Sequence, residues 1–275
     1  MLFWGLILLF SGVAGYLVCF PVLKNIKRRR LTSKPFPSEW VDILRQNVPV
    51  YEKMPQDLQE QLQRCIVIFV HEKVFIGAQE LQITDEIRVT VAAQACLLLL
   101  NRETDIYASL VRIIMYPSAY KDTRMRQNEQ GVMEEETIVR LGESWTGGDV
   151  VLSWEHSKSG AQNFFDAHNV VIHEFSHQLD QADGVADGIP LLGEQSCYRT
   201  WATLIDREYA TLIRTSKKRR RRPVLRDYGA TNEAEFFAVA SEAFFEKPRQ
   251  MRKQYPDLFA ELQRFYLVDP SEWIT

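Results

Sequence analysis

His173, Glu174 and His177 fall within one short run, VVIHEFSHQLD (170–180), and their spacing permits metal chemistry. On an α-helix, residues i and i+4 project from the same side, so two imidazoles can meet a single ion. The glutamate one position after the first histidine then lies beside that ion. His-Glu-x-x-His on a helix is the arrangement in which both histidines hold Zn²⁺ and the glutamate serves as general base. Val171, Ile172, Phe175 and Leu179 cover the opposite arc. An apolar arc docks the helix and frees the histidine side to line a cleft.

A catalytic zinc needs a third protein ligand and an open position for water. Asp180, three residues after His177, suits either a ligand or a carboxylate that orients a ligand imidazole through its other ring nitrogen. Asp183 stands where a longer zinc-helix motif would carry a third histidine. The remaining candidates lie in TNEAEFFAVASEAFFE (231–246), where Glu235, Glu242 and Glu246 form one acidic stripe on a helix rich in Ala, Val and Phe. Such a helix is buried on several sides, and a buried carboxylate is costly unless paired or metal-bound. Glu235 is assigned to the metal, with Asp180 and Glu242 behind the ligands.

These residues need a scaffold. Apolar periodicity predicts helices over 55–70, 85–101, 166–181, 196–215, 232–247 and 257–267, with Thr84 capping the second. KVFIGAQELQIT (73–84) reads as extended, and LVRIIMYP (110–117) as a strand ending at proline. ETIVRLGE (136–143) and DVVLSW (149–154) read as two further strands joined at Gly147-Gly148, the second a candidate edge for pairing a peptide substrate. Ser157 to Gly160 reads as a loop. Strands first and helices later predict an α+β fold: one helix-rich domain over 38–275 with a small mixed sheet.

With 275 residues, 46% hydrophobic and 25% charged, the chain suits one large domain with an appendage. The net charge of −3 argues neither for nor against a polyanionic partner, and no direct nucleic-acid binding is expected. Cys19, Cys65, Cys96 and Cys197 lack the spacing of a zinc ribbon or a disulfide framework. Residues 1–23 carry no charged side chain, and Lys24, Lys27, Arg28, Arg29, Arg30 and Lys34 follow. That order predicts a single transmembrane anchor over 1–23, a basic, proline-containing linker over 24–37, and a domain left on the cytoplasmic side of a bacterial inner membrane. KKRRRRP (217–223) reads as a solvated loop or as a contact for anionic headgroups.

FDAHNVVIHE, HEFSHQLDQADG and YGATNEAEFFAVASEAFF together resemble the Mlc titration factor A family of zinc-dependent peptidases. AAQACLLLL and MYPSAY extend the likeness over most of residues 50–268. The resemblance implies a zincin-like core similar to the catalytic domain of anthrax lethal factor, with one zinc per chain on His173, His177 and Glu235. It implies that Tyr228, seven residues before Glu235, stabilises the oxyanion. It implies a peptide or protein substrate, and an Mlc-like transcriptional repressor of sugar uptake as partner. A second expectation of another class follows: a non-catalytic zinc module that sequesters a regulator at the membrane. The intact Glu174 favours the enzyme, since binding alone needs no base beside the metal.

Overall fold

The computed structural model describes residues 21–102, 104–127, 133–140, 142–145, 148–216 and 223–273. The chain divides into two compact units, Met1–Pro37 and Ser38–Thr275. In the first, residues 21–32 form a helix (α1), so much of the stretch expected as linker is helical; the irregular part is around Pro35 and Pro37. The expected span over 1–23 falls almost wholly outside the described residues. Among the described residues, no helix is long and apolar enough to cross a membrane.

The second unit is a helix-rich α+β domain. Its sheet has the order β1-β2-β6-β5. β1 (Val74–Gly77), β2 (Arg112–Tyr116) and β6 (Asp149–Ser153) run parallel, and β5 (Gly142–Trp145) closes one edge antiparallel to β6. All five residues of β6 are buried, as a parallel strand covered on both faces requires. Arg112 and Asp149 face each other in register and pair through two hydrogen bonds of 2.6 and 2.7 Å. β6 therefore lies between two strands and offers no free edge. The candidate pairing edge moves to β5.

The predicted strand 136–143 is really parts of two. β3 (Tyr120–Gln127) and β4 (Met133–Arg140) form a separate antiparallel hairpin, and β5 begins two residues after β4 ends. The hairpin register places Arg124 opposite Glu136 and Arg126 opposite Glu134. The Gly147-Gly148 turn is described only at Gly148, whose φ of 85° suits a tight reversal.

Helices supply most of the core. α2 (Ser38–Asn47) opens the domain, α3 (Gln56–Glu72) buries Leu58, Leu62, Ile66 and Phe69 at helical spacing, and Thr84 Oγ1 caps α4 (Asp85–Leu97) by accepting from Ile87 N. The expected loop at Ser157–Gly160 is instead α5 (Trp154–Gln162), capped by Ser153. Small residues there serve packing: a Cβ on Gly160 would lie 3.3 Å from Asn169 Cα, so α5 closes tightly on the start of the next helix. That helix, α6 (Val170–Asp180), starts four residues later than the Asp166 expected, with Asn169 as its N-cap. α7 (Tyr198–Ser216), α8 (Glu233–Glu246), α9 (Pro248–Gln254) and α10 (Pro256–Tyr266) complete the domain. Aromatic rings knit the last helices together: Trp201 on Phe265 at 5.3 Å, and Phe244 on Phe259 at 5.1 Å. The basic run 217–222 lies outside the described residues.

Candidate metal centre

α6 is buried along its whole length, more completely than a one-faced helix would be. Phe175 on its apolar arc packs against Tyr107 and Phe69, ring centroids 4.8 and 5.7 Å away. The opposite arc carries His173, Glu174 and His177, each buried but reaching a cleft of about 320 Å³. Asn169 sets the helix start: its side-chain oxygen accepts from Ile172 N at 3.0 Å, satisfying one of the unpaired amides of the first turn.

α8 lies beside α6 and brings Glu235 to the histidines, with Asn232 capping it by accepting from Glu235 N. Glu235 Oε2 lies 2.9 Å from His173 Nε2 and 3.5 Å from His177 Nε2, and the two Nε2 atoms are 3.3 Å apart. The ligand edges of a tetrahedral zinc with bonds near 2.0–2.1 Å would be about 3.3–3.4 Å. The separations of 3.3 and 3.5 Å are close to those edges, and the 2.9 Å contact, a hydrogen-bond distance, needs to open by only a few tenths of an ångström to admit such an ion.

Behind the trio, Glu242 is fully buried and its Oε1 lies 2.8 Å from His173 Nδ1. The Nδ1 side of the ring is thereby taken up by Glu242, which leaves Nε2 as the nitrogen that faces Glu235 and the cleft. Arg226 ion-pairs with the same Glu242 oxygen, and Asn169 N–H donates to the other at 2.7 Å. Glu246, one turn further, accepts from Asn169 Nδ2 at 3.0 Å, and burial pushes its carboxyl well up. Burial alone would lower His173. The hydrogen bonds to Glu235 and Glu242 outweigh it and raise the imidazole to about 10 in the metal-free protein. For Glu235, burial pulls upward but the bonds to both histidines win, holding it well below the usual carboxylate range. A proton and a metal ion thus compete for the same nitrogen.

Asp180 is fully buried, but its Oδ2 accepts from Gly188 N at 3.0 Å, and its Oδ1 finds no hydrogen-bond partner among the described residues. It ties down the loop after α6. Tyr228 is 52% exposed at the cleft, its ring 5.8 Å from that of His173. Two residues singled out by the structure went unnoticed in the sequence. Arg226 gives no local signal, because its partner Glu242 lies on another element. Gly142 gives one: an isolated glycine in a strand pattern marks a close backbone approach. A Cβ there would lie 2.6 Å from Glu174 Oε1, so β5 meets the glutamate only because this residue has no side chain.

Residues 23–267 match the model of a family described as glucose-regulated metallo-peptidase M90. This chain belongs to that family. An uncharacterised protein of Synechocystis is 35% identical over 261 residues, 94% of each chain. Mlc titration factor A of Serratia proteamaculans is 30% identical, over 85% of this chain and 88% of its own length. The protein of the same name from Pectobacterium atrosepticum is 27% identical, over 82% and 84%. For a member of the M90 family a bound metal is implied, and the His173, His177 and Glu235 cluster is where the described residues could hold it.

Proposed function

We propose that this chain hydrolyses peptide bonds, with zinc held by His173, His177 and Glu235 and with Glu174 as general base. The reading is carried by the convergence of three ligand atoms from two helices, all within 4.8 Å of one another, beside a buried glutamate that opens on the same cleft. When bound, zinc supplies a Lewis acid and a water of lowered pKa. Glu174 takes the proton from the attacking water and passes it to the leaving amine. The Tyr228 hydroxyl donates to the carbonyl oxygen as negative charge develops there. Glu242 and Arg226 keep His173 in the tautomer that ligates. Gly142 lets β5 run beside Glu174, where an extended peptide can add to the edge that pairs with no described strand.

Glu174→Gln tests the assignment. It should abolish hydrolysis of a peptide library while one equivalent of zinc stays bound, because this residue handles protons and does not ligate. Wild-type rates in that variant would remove the base; loss of the metal with the activity would make Glu174 structural. Glu235→Ala should emerge metal-free after dialysis, whereas Asp180→Ala should keep its zinc.

A second reading is favoured by the names of the relatives. Two of them are called Mlc titration factor A, which supports an Mlc-like repressor as a partner of this chain too. In that reading the cleft is secondary and a regulator binds the domain at the membrane. Binding of such a repressor that persists in Glu174→Gln would separate the two activities.

A further inference from the structure

A second cavity, of about 470 Å³, lies between α7 and α10 and shares no lining residue with the metal cleft. Such a volume suits a small organic ligand or a few residues of a peptide. Leu204 and Ala260 give it apolar surface, and charged side chains of both helices line it too. Most of those charges are already matched. Arg207 pairs with Asp257 at 2.7 Å and with Glu208 at 2.8 Å, and Arg264 donates to Glu261 Oε2 at 2.6 Å.

Two groups are left over. Glu261 is only 2% exposed, yet its Oε1 has no hydrogen-bond partner among the described residues. A buried carboxylate oxygen without a donor is costly, so it calls for a partner that the described residues do not supply. Arg199, on the α7 side, is exposed and forms no ion pair with any described residue. A matching ligand therefore brings a donor to Glu261 and an anion to Arg199. Sulfate would suit Arg199 but would turn only acceptor oxygens on Glu261. A simple amine would suit Glu261 but would set a second cation beside Arg199. The last residue of a peptide carries both groups, an N–H and a carboxylate, on one carbon. We propose that this cavity binds the carboxy-terminal end of a peptide, its carboxylate on Arg199 and its last main-chain N–H donating to Glu261 Oε1. The site stands apart from the peptidase reading and does not depend on it.

The test measures binding to the full-length, zinc-loaded protein carrying Glu174→Gln, so that a bound peptide stays intact. The probe is a pentapeptide of alanines, dye-labelled at its amino terminus and read by fluorescence anisotropy. It is made with a free carboxylate, with a carboxamide, and with an ester in place of its last amide. The free acid should bind about tenfold more tightly than the carboxamide, and about tenfold more tightly than the ester, which has no N–H to donate. Arg199→Gln, a change at an exposed position, should erase the preference for the carboxylate. Glu261→Leu should erase the preference for amide over ester; if that variant fails to fold, the ester comparison in the parent protein decides this half. Equal binding of acid and carboxamide overturns the proposal. So does a carboxylate preference that survives Arg199→Gln, which would put the carboxylate on the zinc. An ester bound as well as the amide removes Glu261 as acceptor, and free alanine competing as well as the pentapeptide would make this an amino-acid site; either result overturns the proposal as well.

Discussion

His173 is held from two sides, by Glu235 at the metal position and by Glu242 behind it. Glu242 in turn depends on Arg226, since a fully buried carboxylate without a cation beside it is costly. Arg226→Met and Glu242→Gln should therefore each weaken zinc affinity by about 10–100-fold while leaving three ligands and a one-to-one stoichiometry. Competitive titration against a chelating dye measures this, and unchanged affinity in both variants would show that the pair only supports packing. The metal-free protein carries its own signature. His173 is raised from 6.5 to about 10, so its contribution to stability is complete below pH 6.5 and is lost as pH rises toward 10. The Glu235 contribution is complete above its unfolded value of 4.5, so it does not vary across that window. With chelator present, thermal melts should fall in Tm from pH 6.5 to 10. A Tm that stayed level would mean that His173 holds no proton in the folded state.

At the scale of elements, the site depends on where α6 starts and how closely its neighbours approach. Asn169 caps α6, and its Nδ2 satisfies the buried Glu246. Asn169→Ala should cost about 1–2 kcal/mol for the lost cap, or roughly 2–4 °C of Tm for each kcal/mol in a domain near this size. A melt unchanged within error would show that the cap is replaced by another group. Gly142→Ala belongs here too, because it thrusts a Cβ against Glu174. It should lower kcat with zinc fully bound and little change in Tm; an unaltered kcat would mean that β5 yields without displacing the base. Elements with clean apolar periodicity, α3 and α8 among them, were legible in the sequence. The β3–β4 hairpin was not, because KDTRMRQ is mostly charged and polar, as exposed loops are. α5 was hidden for a related reason: Ser and Gly usually mark turns, and here they allow close helix packing.

For the whole molecule, the open proposal is topological. We propose that the uncharged run 1–23 anchors the chain in a membrane and that the basic flank Lys24 to Arg30 keeps residues 24–275 on the cytoplasmic side. Protease added to intact spheroplasts should leave the domain uncut, and digestion should require inverted vesicles or detergent. Cleavage in intact spheroplasts would reverse the orientation.

The pairing of two histidines on one side of α6 was readable from the chain alone, because i, i+4 spacing on a helix is a local property and needs no knowledge of the rest of the chain. The sequence also marked α8 as a buried helix whose carboxylates needed partners. The tertiary structure decided which carboxylate went where. Glu235, Glu242 and Glu246 share one stripe, yet they meet the paired histidines, the back of His173 and Asn169 respectively, through the way α8 lies along α6. The same holds for Asp180, close to His177 along the chain but bonded to Gly188, and for Arg226, whose partner is 16 residues away. Contacts set by how helices cross depend on the packing of both surfaces at once, and one stretch of sequence describes only its own.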